Sequence, residues 1–298
     1  MKKLLLTLGF AACALPAQAA LTVLACEPEW AALAAEIGGE RIKVSSATTA
    51  MQDPHRIDAR PSLIARTRNA DLLVCTGMEL EAGWLPVLLQ QSGNGKIAPG
   101  QNGYLDAGAL VPRLDQPGRL DRGDGDVHAG GNPHIQQDPR NIALVGEALV
   151  KRMAMLDPAN AAFYQERHKN FTTRWQAAMQ TWQQQIVPLK GVPVIEHHKN
   201  MAYLLNWTGM QSVATLEPKP GVEPGAAHLS GLLGQLQKQP AKMVLRAVYQ
   251  DGRASQWVAE RSKVAVVVLP FTVGGNEQAK DLFGLFDDTV ARLIAAAK

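Results

Sequence analysis

Cysteine is scarce in this chain, with three in 298 residues, and neither sign of charge dominates, at 30 Lys and Arg against 27 Asp and Glu. A formal net charge of +3 gives no broad basic surface, so composition offers no support for nucleic-acid binding. The patterns His-Glu-x-x-His and Cys-x-x-Cys are both missing. The two short signatures that most directly announce a zinc protease or a thiol metal site are therefore excluded. There is no internal repeat, and the only compositionally biased tract is one Gly/Pro-rich loop. After the first 20 residues no stretch is apolar enough to span a bilayer, which takes about 20 residues.

What is present begins with a leader. Met1-Lys2-Lys3 precedes an apolar run from Leu4 to Leu15, then Pro16-Ala17-Gln18-Ala19-Ala20. A charged start, a short apolar run and an Ala-x-Ala site are the parts of a secretory signal peptide. A buried N-terminal helix is the plain alternative. A lipoprotein signal acylated at Cys13 is another, disfavoured by Phe10 three residues before it. Cleavage near Ala19/Ala20 predicts a soluble periplasmic chain with formal charge +1, large enough for two lobes. Monomer is the default state. Cys26 and Cys75 then remain. An even pair in an exported protein suggests one disulfide. Both end strand-like runs that neighbouring parallel strands could bring together; two buried free thiols are the alternative.

Strand and helix signals alternate along the first part. Leu21–Leu24, Arg41–Ser45 and Leu72–Val74 read as strands. Glu29–Ile37, Pro61–Arg68 and Glu79–Gln91 read as helices. Residues 92–133 read as a long loop. Pro139–Leu156 and Pro158–Ile186 read as helices, the second with aromatic residues spaced by three and four. The alternation then restarts, with strands at Val192–Ile195, Val213–Leu216, Met243–Val248 and Val264–Leu269, and a last helix from Lys280 to Ala297. The predicted fold class is α/β: two lobes with parallel-type sheets flanked by helices, joined by one long helix. The predicted organisation is 1–19 signal peptide, 20–157 N-terminal lobe, 158–188 connecting helix and 189–298 C-terminal lobe.

Ligands of α/β sheets bind beyond the C-terminal ends of strands. Of seven histidines, His168 falls inside the long helix and His228 opens a later one. His55, His128, His134, His197 and His198 lie in loops. Spacing alone leaves ordinary polar loop histidines as a full alternative to a metal site.

Longer motifs narrow the choice. Gln52-Asp53-Pro54-His55 with Ala59-Arg60-Pro61-Ser62 resembles the first ligand loop of the periplasmic zinc/manganese-binding proteins of ABC importers. Gly131-Asn132-Pro133-His134, followed by Asp138-Pro139, resembles their second. Val194-Ile195-Glu196-His197-His198, with Tyr203 beyond, resembles their third, in a register that selects His198 over His197. Leu216-Glu217-Pro218-Lys219-Pro220-Gly221 resembles the loop after the next strand. Leu269-Pro270-Phe271-Thr272-Val273-Gly274-Gly275 and Asp281-Leu282-Phe283-Gly284-Leu285-Phe286 resemble the C-terminal block. The order holds over nearly the whole mature chain, and the AztC-like zinc-binding branch is the nearest likeness.

The resemblance implies a cleft site between two lobes, with His55 and His134 from the first lobe and His198 from the second. It implies capture of Zn2+ without catalysis and delivery to an ABC transporter membrane permease. A periplasmic metallochaperone is a compatible partner. Three imidazoles suit zinc better than manganese, and copper would accept them too. The family's further carboxylate has no direct counterpart after Thr272, which leaves Glu277, Asp281 or water. The family's His-rich linker is reduced here to His128, so that loop is either a transient metal contact or a solvated turn. Asp53, Asp138 and Glu196 are candidates to orient the rings. Two other functions stay open: a zinc hydrolase using Glu196 or Glu223 as base, and a non-metal binder or adhesin on the same fold.

Overall fold

A computed structural model describes the chain over residues 20–298, except residues 120, 122 and 124. The predicted leader, its cleavage point and Cys13 lie outside the described residues.

The first lobe is a parallel sheet of β1 (Leu21–Ala25), β2 (Ile42–Ser46), β3 (Leu72–Cys75) and β4 (Tyr104–Asp106), in the order β2-β1-β3-β4. All four residues of β3 are buried, as expected of a central parallel strand covered on both faces. On one face α1 (Pro28–Gly38) packs Trp30, Leu33 and Ile37 into the main core. Pro28 stands in its first turn, where a missing N–H costs nothing. On the other face α2 (Pro61–Arg68) and α3 (Leu85–Ser92) close a second core around Leu24, Leu63, Leu73 and Leu88. Cys26 and Cys75, at the ends of adjacent strands β1 and β3, are joined as a disulfide.

The helix predicted over 79–91 begins only at Leu85, because Pro86 fits only a first turn and Met78 and Glu79 are left-handed, at φ 49° and 68°. The long loop over 92–133 contains β4, whose three residues are too few to show a period.

After α4 (Pro139–Leu156), residues 158–160 make one tight 3-10 turn, and α5 (Ala161–Gln185) runs between the lobes. Its buried face carries Tyr164, Phe171, Trp175 and Trp182. The second lobe orders β5 (Pro193–Glu196), β6 (Gln211–Thr215), β7 (Met243–Ala247) and β8 (Ala265–Leu269) as β6-β5-β7-β8, again all parallel. Four helices flank it: α6 (Ala202–Thr208), α7 (Ala226–Lys238), α8 (Arg253–Ser262) and α9 (Leu282–Ala297). Phe283 and Phe286 of α9 pack on Trp175, and Trp182 donates its Nε1–H to Asp287 at 2.6 Å. One helix thus packs against both lobes within the main core, and the loops leaving the C-terminal ends of both sheets meet in a cleft. No helix among the described residues is long and apolar enough to cross a membrane.

Candidate metal centre

Three loops bring three histidines together. His55 follows β2, His134 lies between β4 and α4, and His198 follows β5. One nitrogen of each lies within 4.8 Å of the other two. The ring centroids are 5.3 Å (His55–His134), 6.0 Å (His55–His198) and 6.1 Å (His134–His198) apart. Those separations define a point about 3.4 Å from every ring centre. A Zn–N bond of about 2.0–2.1 Å, plus about 1.2 Å from nitrogen to ring centre, asks for about 3.2 Å. A shift of a few tenths of an ångström would close the three rings on one ion.

Local chemistry sets the loops. Trp84 donates its Nε1–H to the Pro54 carbonyl at 2.8 Å, holding the residue before His55. Asn132 accepts the His134 N–H at 3.1 Å and donates its amide to the Lys199 carbonyl at 2.9 Å, tying the second histidine loop to the third across the cleft.

Two rings are oriented by carboxylates. Asp53 Oδ1 lies 2.8 Å from His55 Nδ1, and Glu217 Oε2 lies 2.6 Å from His198 Nδ1. A carboxylate on Nδ1 holds the proton there and leaves Nε2 as the free lone pair. Burial opposes ionisation of Asp53, yet its bonds from His55 keep the carboxyl below its usual range. The Nε2 of His55 is buried with no partner. His134 is 1% exposed, and neither of its nitrogens has a partner. Burial, then the neighbouring His55 and His198, push its pKa well down, so the ring is neutral. An unpartnered buried polar group costs about 1–3 kcal/mol, which an ion on the lone pair would offset. Among the described residues no Asp or Glu oxygen joins the group.

The remaining candidates separate cleanly. Glu277 and Asp281, weighed for the fourth position, are both exposed. Asp281 instead caps α9 by accepting the Gly284 N–H at 2.8 Å. The ring of Phe271, at φ 70°, stands edge-on to His134 at 5.4 Å. His197 is buried outside the group. Asp138 pairs with Arg140, and Glu196 accepts the Met201 N–H at 3.1 Å, so of the three proposed orienting acids only Asp53 meets a ring. Glu223 is exposed, and neither acid considered as a hydrolytic base joins the histidine group. His128 lies against His55, with centroids 5.4 Å apart. Burial, then His55, lower its pKa to about 4. In the sequence Glu217 stands out only as part of a loop motif; its turn brings it back to His198 through Gly221, whose N–H it also accepts at 2.7 Å.

Two parallel-sheet lobes on one long helix, with histidines converging in the cleft, define a cleft-type solute-binding protein of the kind that serves ABC importers. The sequence matches the family "Zinc-uptake complex component A periplasmic" over residues 23–296, and the chain belongs to that family. The manganese ABC transporter substrate-binding lipoprotein PsaA of Streptococcus pneumoniae is 24% identical over 268 residues, covering 88% of this chain and 83% of the relative. The metal ABC transporter substrate-binding lipoprotein SloC of Streptococcus mutans is 21% identical, covering 88% and 85%. A crystal structure of ZnuA superposes with a TM-score of 0.78 at 21% identity, covering 94% of this chain and 100% of that one. The binding protein FpvC of Pseudomonas aeruginosa in complex with Mn2+ gives 0.77 at 20% identity, covering 93% and 98%. The family is one of transporter binding components, and the chain is accordingly not an enzyme.

Proposed function

We propose that this protein captures Zn2+ as cargo in the periplasm and hands it to an ABC transporter permease, with His55, His134 and His198 as its ligands. The observation that carries the reading is a convergent set of three imidazoles, two of them aimed by carboxylates, with no carboxylate oxygen in the group. Neutral imidazoles favour zinc, whereas manganese prefers oxygen-rich sites. Manganese is the second reading, because PsaA is named for that metal. The likeness to the AztC-like branch, export by a cleaved leader and a monomeric state belong to the same proposal, as does docking on a permease.

The test is metal content. The mature protein, purified without chelator beside His198→Ala, should carry about one zinc per chain, much reduced in the variant, by elemental mass spectrometry. Manganese in the wild type would leave the transport reading and replace the metal. No retained metal, even after loading with zinc, would end the metal reading and leave the organic-ligand alternative.

A further inference from the structure

The segment from Gly125 to Gly130 crosses the mouth of the cleft and is fastened on both sides. Toward the second lobe, Asp126 donates its N–H to the Pro220 carbonyl at 2.9 Å. A Cβ on Gly125 would stand 2.2 Å from that same oxygen, so only glycine permits the approach. Toward the first lobe, Ala129 donates its N–H to Glu79 Oε2 at 2.6 Å. Gly130 lies on Met78, where a Cβ would sit 3.2 Å from the Met78 Cα. Between the two fastenings, His128 faces the site, its ring 5.4 Å from His55. That is the separation of the His55–His134 pair, 5.3 Å, within the convergent group. His128, His134 and His198 line one pocket of ≈ 80 Å³.

The anchor on the first lobe is unusual. Gly77, Met78 and Glu79 are three consecutive left-handed residues, at φ 74°, 49° and 68°. Two of them carry side chains that make this conformation unfavourable, and such backbone persists where the surroundings impose it, often beside functional sites. Here it presents the Glu79 carboxylate and the Met78 side chain to one place, the strap that bears His128. Glu79 is itself exposed and serves no core.

We propose that residues 125–130 form a strap that closes His128 onto the bound metal as its fourth protein ligand, with Glu79 as the positioning residue. This rests on the metal-capture reading above. His128 stands just outside the three-histidine group, and the ion supplies the attraction that draws it in. It takes the coordination position for which neither Glu277 nor Asp281 is placed. Release then requires the strap to lift from one of its fastenings.

Cobalt(II) is the probe, because its visible absorption distinguishes four-coordinate sites from those with added water. Wild type, His128→Ala, Glu79→Ala and Glu79→Gln would be loaded with cobalt, and zinc dissociation timed against a chelator. The wild type should show the strong bands of a four-coordinate ion. His128→Ala should still bind one ion through three histidines, with weaker, shifted bands and dissociation at least tenfold faster. Glu79→Ala should keep the band positions at saturation but release zinc several-fold faster, and Glu79→Gln, which retains an acceptor for the Ala129 N–H, should restore the slow rate. Unchanged bands and rate in His128→Ala would overturn the ligand role, with metal capture intact. Wild-type kinetics in Glu79→Ala would overturn the positioning role alone. A wild type that binds neither ion would remove metal capture itself, and the strap assignment with it.

Discussion

His198 and Glu217 are locked together across a parallel strand pair: the imidazole Nδ1 stands 2.6 Å from a carboxylate oxygen that also accepts the Gly221 N–H. His198 leaves β5 and Glu217 leaves β6, neighbours in the second sheet, so the sheet itself sets the contact. The carboxylate fixes the tautomer that turns Nε2 inward. Removing an orienting partner of a metal-binding histidine typically costs about 10–100-fold in affinity. Glu217→Ala should weaken zinc binding by that order in a competitive chelator titration, and Glu217→Gln by less, since its amide oxygen can still accept the Nδ1–H. Wild-type affinity in the alanine variant would remove Glu217 from the site.

His134 predicts effects of opposite sign on binding and on stability. Its ring is almost fully buried, with both nitrogens unpartnered, and packs against Phe271. Without an ion those nitrogens only cost free energy. Replacing a buried polar group by an apolar one of similar size removes that cost. His134→Leu should therefore abolish tight zinc binding yet melt above the metal-free wild type, by roughly 1–3 kcal/mol or a few degrees. Calorimetry of both metal-free proteins is the check; a lower melting temperature in the variant would mean the imidazole has polar partners in solution.

The histidines and the two-lobed plan were legible in the sequence because each rests on a local pattern. His55, His134 and His198 sit in Pro-bearing or strand-end loops, and β1, β3, β7 and β8 are short, largely apolar runs. Glu217 was not legible as a partner of His198, and His128 was legible only as one of two readings of its loop, because each is placed by tertiary pairing. Glu217 comes from the strand beside the one bearing its histidine, and His128 is held by Glu79, 50 residues away from the Ala129 it binds. The helix over 79–91 differs for another reason: its apolar spacing is helical, but Met78 and Glu79 are left-handed, with Met78 packed on Gly108 and Gly130.

Glu29 makes stability depend on pH. It sits in the first turn of α1, 1% exposed, and accepts a hydrogen bond from Thr272 of the second lobe. Burial raises its pKa from 4.5 to about 7, against the opposing bond from Thr272. Below the unfolded value both states hold the proton, and its contribution is fully present. As pH rises, the unfolded chain loses the proton first, so stability falls until the folded carboxyl also ionises near 7. The loss for this one group is at most on the order of 3 kcal/mol. Glu81, also raised to about 7 by burial, acts in the same direction. Glu29→Gln should match wild type near pH 4.5 and exceed it at pH 8 in denaturant titrations. Equal stability at both pH values would mean that Glu29 is hydrated in solution.

The Cys26–Cys75 bond closes a loop of 49 residues across β1 and β3, and both cysteines are fully buried. In the chain-entropy account a loop of that length is worth about 4 kcal/mol, and removing native disulfides typically costs about 2–5. For a chain of this size that is a fall in melting temperature on the order of 10 °C. The replacement Cys26→Ala with Cys75→Ala leaves the second core apolar, so the loss should come from the unfolded state rather than from a buried polar group. Zinc stoichiometry should stay at the wild-type value, because neither cysteine belongs to the histidine group. Burial adds a kinetic expectation: a mild reductant should leave the bond intact in the native protein and cleave it only in denaturant, read as thiols available to an alkylating reagent by mass. A double variant that melts with the wild type would show that the bond does not limit the unfolded chain. Rapid alkylation without denaturant would show that the end of β3, and with it the left-handed turn that holds Glu79, opens readily.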